Sequence, residues 1–124
     1  MNKYTFMLED DYVPNPKASP FVTCKTYVIR EAKKAKVMHE KNAEEVREMA
    51  SLTKMMTAIV TIELCEELKI DMKTTFFKVS ERASSTIGTT AYVVEDQMVS
   101  IFDLLYGLML PSGNDAAMTL AENF

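Results

Sequence analysis

The chain has 124 residues, of which 48% are hydrophobic and 26% charged, the balance of a folded soluble protein and not of a disordered one. That length builds one domain or part of one and buries about two-thirds of the unfolded surface. A net charge of −4 gives no electrostatic footprint for nucleic acid, and no apolar run approaches the ~20 residues of a membrane span.

Residues 1–20 contain Pro14, Pro16 and Pro20 with Asn15 and Ser19, which predicts an irregular tail. The first residues lack an apolar h-region and carry Glu9, Asp10 and Asp11, so they do not read as a secretory signal. Residues 21–30, FVTCKTYVIR, are β-branched and aromatic, and predict a strand. Residues 30–50 are ambiguous. Ala, Glu, Lys, Met and Arg favour helix, yet Val37, Met38, Val46 and Met49 make no continuous helical stripe. A second strand over 36–41, turning back at Lys33-Lys34, competes, without the Gly, Asn or Asp of a tight hairpin. The charges at Glu44, Glu45, Arg47 and Glu48 read as a solvated face.

A helix is predicted from Ser51 to about Leu68. Apolar residues occupy nearly every face over 55–64, which predicts a buried helix. Residues 70–73 are a break, 74–79 a short strand, 80–90 a polar loop with one helical turn, 91–94 extended chain and 95–97 a turn. Ser100 followed by Asp103 is a capping box. It opens a helix whose apolar face is Ile101, Leu104, Leu105, Leu108 and Met109, ended by Leu110-Pro111. Ser112-Gly113-Asn114 is a tight turn, and Asp115 puts a negative charge in the first turn of a last helix over 116–123. Cys24 and Cys65 stand in no metal-ligand spacing and read as two buried free thiols. His39 reads as a strand or surface residue. No metal or cofactor is expected.

Two short motifs carry chemistry. Ser51 and Lys54 are three apart at a helix start, so hydroxyl and amine can meet. A serine is a weak nucleophile until a base takes its proton. An unperturbed lysine titrates near 10.4, so the site would have to lower that value for Lys54 to act as a base. The positive end of the helix favours negative charge near Ser51. Taken alone, Ser-x-x-Lys reads as a helix cap beside a solvated lysine. Ser112-Gly113-Asn114 is equally a linker between helices, or a hydroxyl and an amide presented together on a stiff turn.

With both motifs in view, residues 37–60 and 88–122 resemble the serine-type D-alanyl-D-alanine carboxypeptidases of peptidase family S11. These low-molecular-weight penicillin-binding proteins belong to the serine β-lactamase superfamily. The resemblance spans about 21–124 and is densest at LLYGLMLPSGNDAA. It implies an α+β fold, an N-terminal hairpin of an antiparallel sheet with a helical subdomain, truncated before the C-terminal strands. It turns 22–41 into that hairpin and makes 21–124 a partial DD-peptidase domain. It implies Ser51 as acylated nucleophile, Lys54 as its base, Ser112 as proton relay and Asn114 as the substrate-binding amide. The Ser51 N–H would be one of two oxyanion donors. The implied partners are a peptidoglycan D-Ala-D-Ala peptide or a β-lactam, and the implied compartment is the cell envelope.

The family's third motif, Lys-Thr-Gly, does not occur in the 124 residues. Lys73-Thr74 is followed by Thr75 and precedes Ser112. Gly113 at the middle of the second motif favours a carboxypeptidase over a class A β-lactamase, which would also need a deacylating acid from elsewhere. The competing reading is a truncated, inactive relative serving as a binding module.

Overall fold

A computed structural model of the protein describes residues 19, 21–34 and 36–124. The tail expected over 1–20 lies, except for Ser19, outside the described residues. The chain divides into two units, residues 1–47 and 48–124.

In the first unit, β1 (Tyr27–Arg30) pairs antiparallel with β2 (Val37–Lys41). Tyr27 faces Lys41 and Ile29 faces His39, and the register then shifts so that Arg30 faces Val37. Such a shift accommodates one extra residue on one strand and twists the ribbon. The Glu31 N–H donates to the Lys36 carbonyl at 2.9 Å across the turn. At the open end Lys41 donates to the Cys24 carbonyl and Asn42 to the Lys25 carbonyl, at 2.9 and 3.2 Å. The expected hairpin forms despite the helical propensity of 30–41, because cross-strand bonds exist for a strand and no apolar stripe exists for a helix. The first strand is shorter than the expected 21–30, since 21–26 make no ladder.

The second unit opens with a 3-10 turn, Ala50–Leu52, that runs into α1 (Thr53–Leu68). Lys69, at φ 56°, takes the left-handed cap conformation and ends the helix. After α1 come β3 (Phe76–Lys78), α2 (Glu81–Ser84), β4 (Met98–Ser100), α3 (Ile101–Met109) and α4 (Asn114–Asn123). β3 pairs antiparallel with β4, Phe77 facing Val99. β4 escapes sequence reading because three residues are too few for an alternation to register. Ser100 ends β4 and caps α3, its Oγ accepting from the Asp103 N–H at 3.0 Å. The expected apolar face of α3 buries Ile101, Leu104 and Leu108, while Met109 stays exposed. These three pack with Cys65, Ala116 and Leu120 as the core of the unit.

The expectation of a buried α1 is overturned. The stripe of α1 that faces the unit is Lys54, Thr57, Ala58, Thr61, Leu64 and Cys65, with Thr61 and Cys65 fully buried. Its spacing is that of one helical face. Met56, Ile59 and Val60 lie outside it, 60%, 47% and 44% exposed. α1 packs on α3 and α4, and those two helices cover only one side of it. A groove of about 280 Å³ between Met56, Val60, Leu64, Leu120 and Phe124 continues the apolar surface. Patches of this kind drive association. The chain is therefore expected to self-associate as its concentration rises, and Ile59→Lys with Val60→Glu to suppress this without loss of helix. Light scattering paired with circular dichroism checks both parts, and scattering unchanged by the double substitution would count against it.

Of the two free thiols expected to be buried, Cys65 is, and that burial pushes its thiol pKa up, whereas Cys24 is exposed. No described helix is long and apolar enough to cross a membrane.

Candidate active site

Ser51 sits in the 3-10 turn, not at the helix cap. The cap position of α1 is Leu52, and no side chain caps the helix. This removes the capping reading of Ser51. Ala50 just before it has φ 46°, a left-handed backbone that an alanine adopts only when the surroundings hold it. Ser51 is exposed, so its hydroxyl is open to solvent.

Lys54 lies on the packed stripe of α1 and is half-buried. Its Nζ stands 3.4 Å from Ser51 Oγ, a long contact, and donates to Asn114 Oδ1 at 2.7 Å. The amine thus bridges the first motif and the second, sixty residues apart. Asn114 begins α4. Its Nδ2 donates to the Ile87 carbonyl at 2.8 Å and its backbone N–H to the Thr89 carbonyl at 2.7 Å. With the amide nitrogen bound to a carbonyl, Oδ1 is the atom left to face Lys54.

Ser112 has φ 59° in the turn before α4. Its carbonyl accepts from Thr89 Oγ1. Its hydroxyl enters none of the hydrogen bonds among the described residues. Ser51, Lys54 and Asn114 are therefore joined directly, and Ser112 reaches them through the turn it shares with Asn114. The turn is tight: the Gly113 N–H donates to the Gly107 carbonyl at 2.9 Å, and a Cβ on Gly113 would meet Asp115 Oδ1 and the Ala91 nitrogen at 2.7 and 2.8 Å. Gly88, at φ 116°, is as constrained, since a Cβ there would stand 2.4 Å from Asn114 Nδ2. A cleft of about 350 Å³ lies against Asn114, lined also by Thr57, Thr86 and Met118.

Two residues of this region were not expected from the sequence. Tyr92 interrupts the extended chain foreseen over 91–94, with φ 59° and its ring exposed. Asp115, expected only to complement the helix dipole, is 1% exposed. It accepts from Thr90 Oγ1 at 2.6 Å and from the Ala91 and Val93 N–H groups at 2.8 and 3.2 Å. Burial alone would push its carboxyl up. The bonds from Ala91, Thr90, Ala116 and Val93 outweigh burial and hold it below the usual carboxylate value.

Comparisons with known proteins identify the family and the fold. The D-alanyl-D-alanine carboxypeptidase family, peptidase S11, matches residues 14–124. The D-alanyl-D-alanine carboxypeptidase DacF of Bacillus subtilis is 33% identical over 98 residues, covering 79% of this chain and 25% of its own length. The D-alanyl-D-alanine carboxypeptidase of Streptomyces sp. strain K15 is 38% identical over 88 residues, covering 70% of this chain and 30% of its own length. Among solved structures, the D-alanyl-D-alanine carboxypeptidase DacD of Francisella tularensis superposes with a TM-score of 0.80 at 30% identity, over 99% of this chain and 29% of that one. The chain thus spans between a quarter and a third of the length of these relatives. Its fold is that of the N-terminal part of a DD-peptidase, and the chain belongs to the D-alanyl-D-alanine carboxypeptidase family, peptidase S11.

Proposed function

We propose that this chain carries the nucleophile half of a serine-type D-Ala-D-Ala carboxypeptidase acting on peptidoglycan stem peptides in the cell envelope. The observation that supports the reading is the Lys54 amine held between Ser51 Oγ and Asn114 Oδ1, at 3.4 and 2.7 Å. A neutral amine has two N–H groups and one lone pair. Asn114 takes an N–H, and the lone pair is then free to receive the Ser51 proton. The serine oxygen attacks the carbonyl of the scissile D-Ala-D-Ala bond, and the Ser51 N–H stabilises the oxyanion as one of two donors. The proton passes by way of Ser112 to the departing D-alanine nitrogen, and water cleaves the Ser51 ester. A β-lactam enters the same first step, its ring amide opening onto Ser51. The second oxyanion donor and the site for the substrate carboxylate belong to a Lys-Thr-Gly strand, as the family resemblance implies.

The test joins residues 1–124 to the remaining portion of the Streptomyces K15 relative and incubates the chimera with a fluorescent penicillin. One label per chain on the Ser51 peptide, absent in Ser51→Ala, is the expected result. A folded chimera that takes no label, or that labels equally well without the Ser51 hydroxyl, would overturn the reading.

A further inference from the structure

Asp115 is fully buried, yet one of its bonds, from the Ala116 N–H, is all that ties the carboxylate to its own helix. The rest come from residues 22 to 25 positions earlier in the chain. An acid that served only the helix dipole would turn its oxygens to the first N–H groups of α4. Here they turn to the segment 90–93. The residues just before that segment grip the second motif at three points: Ile87 O on Asn114 Nδ2, Thr89 O on the Asn114 N–H, and Thr89 Oγ1 on the Ser112 carbonyl. Gly88, between them, lets the Asn114 amide pack against the backbone, where any Cβ would collide with Nδ2.

We infer that Asp115 is a positioning residue: its carboxylate fastens segment 87–93 behind the 112–114 turn and so aims the Asn114 carbonyl at Lys54 and keeps Ser112 left-handed. The inference rests on the reading of Ser51, Lys54, Ser112 and Asn114 as one site. Without the carboxylate, Thr89 and Ile87 lose the anchor that fixes them against Asn114. Asparagine at position 115 keeps the size and one acceptor, but it turns an –NH2 toward groups that are themselves donors. The Asn114 amide then swings, and the Lys54 amine is released from Oδ1.

The experiment compares the 124-residue chain with its Asp115→Asn variant at low micromolar concentration, with two readouts that require no acylation. Hydrogen exchange followed by mass spectrometry is expected to speed up at Ala91, Val93 and Asn114 roughly 10- to 100-fold more than in α1, where it follows only the loss of global stability. Trace acetylation is expected to mark Lys54 several-fold more in the variant, with Lys73 and Lys78 unchanged. A role confined to stability would raise exchange throughout the unit and would not single out Lys54. Exchange at Asn114 that rises no more than in α1, with acetylation of Lys54 within about twofold of the parent, would overturn the inference. If Asp115→Asn does not fold, Thr90→Val removes a single donor to the same carboxylate and must give the same pattern at smaller amplitude; an unchanged pattern overturns it. A chimera that takes no penicillin counts against the hydrolase reading alone, since exchange and acetylation still decide the role of Asp115.

Discussion

Lys54→Ala is expected to slow acylation of the penicillin-reactive chimera by roughly 100- to 10,000-fold, the range set by loss of a positioned general base. The amine stands 3.4 Å from Ser51 Oγ and is fixed from the other side by Asn114 Oδ1 at 2.7 Å, so no other described side chain takes its place between the two. Lys54→Arg separates the base from the charge. A guanidinium stays protonated at any working pH, so it still has N–H groups for Asn114 but no lone pair for the serine proton. Both variants should therefore be comparably slow. The rate of label uptake on the Ser51 peptide measures it. If Lys54→Arg retains more than about a tenth of the parental rate, proton transfer to Lys54 is not the step that matters.

How much of this was legible in the sequence depended on how local each signal was. The cap at Ser100 and the apolar face of α3 are local, three to eight residues long, and they formed as read except that Met109 stays exposed. The end of α1 at Leu68 was equally plain. The orientation of α1 was not, because apolar residues stand on nearly all its faces and periodicity cannot choose among them. The structure chose the stripe containing Lys54, Thr57, Thr61 and Cys65, which is more polar than the exposed Met55, Met56, Ile59 and Val60. That choice is what turns Lys54 toward Asn114. The hairpin over 27–41 was legible only through the family resemblance, since helix propensity and strand pairing conflict there. Asp115, correctly placed in the first turn of α4, was read only in part, for the opposite reason. An acid in the first turn of a helix already has a sufficient local explanation, and its real partners lie 22 to 25 residues away. The left-handed Ala50, Tyr92 and Ser112 left no trace in composition either, because none of the three is a glycine or asparagine.

Acid should unfold the second unit along a path in which Asp115 is a marked step. Its carboxyl is held below the ordinary value of 3.8 in the folded chain and returns to about 3.9 when the chain unfolds. The folded form therefore binds this proton less readily than the unfolded form. The stability that results is fully present above the unfolded value and is lost as pH falls through the folded one. At neutral pH, removing the charged acceptor leaves Thr90, Ala91 and Val93 with poorer partners, a cost on the order of 3 kcal/mol. Between pH 7 and 5 the stability curves of the parent and Asp115→Asn should run parallel, the variant lower. Below about pH 4 the parent should fall more steeply, by up to about 1.4 kcal/mol per pH unit, so that the two curves converge. The partners of the carboxylate are a hydroxyl and backbone N–H groups, all uncharged. Added salt should accordingly leave the convergence in place, whereas a surface ion pair would be screened. Urea unfolding midpoints from pH 7 to 2.5, at low and high salt, provide the measurement. Curves that stay parallel into the acid range would show that Asp115 ionises in the folded chain as it does in the unfolded one, and that its bonds to segment 90–93 do not hold its charge.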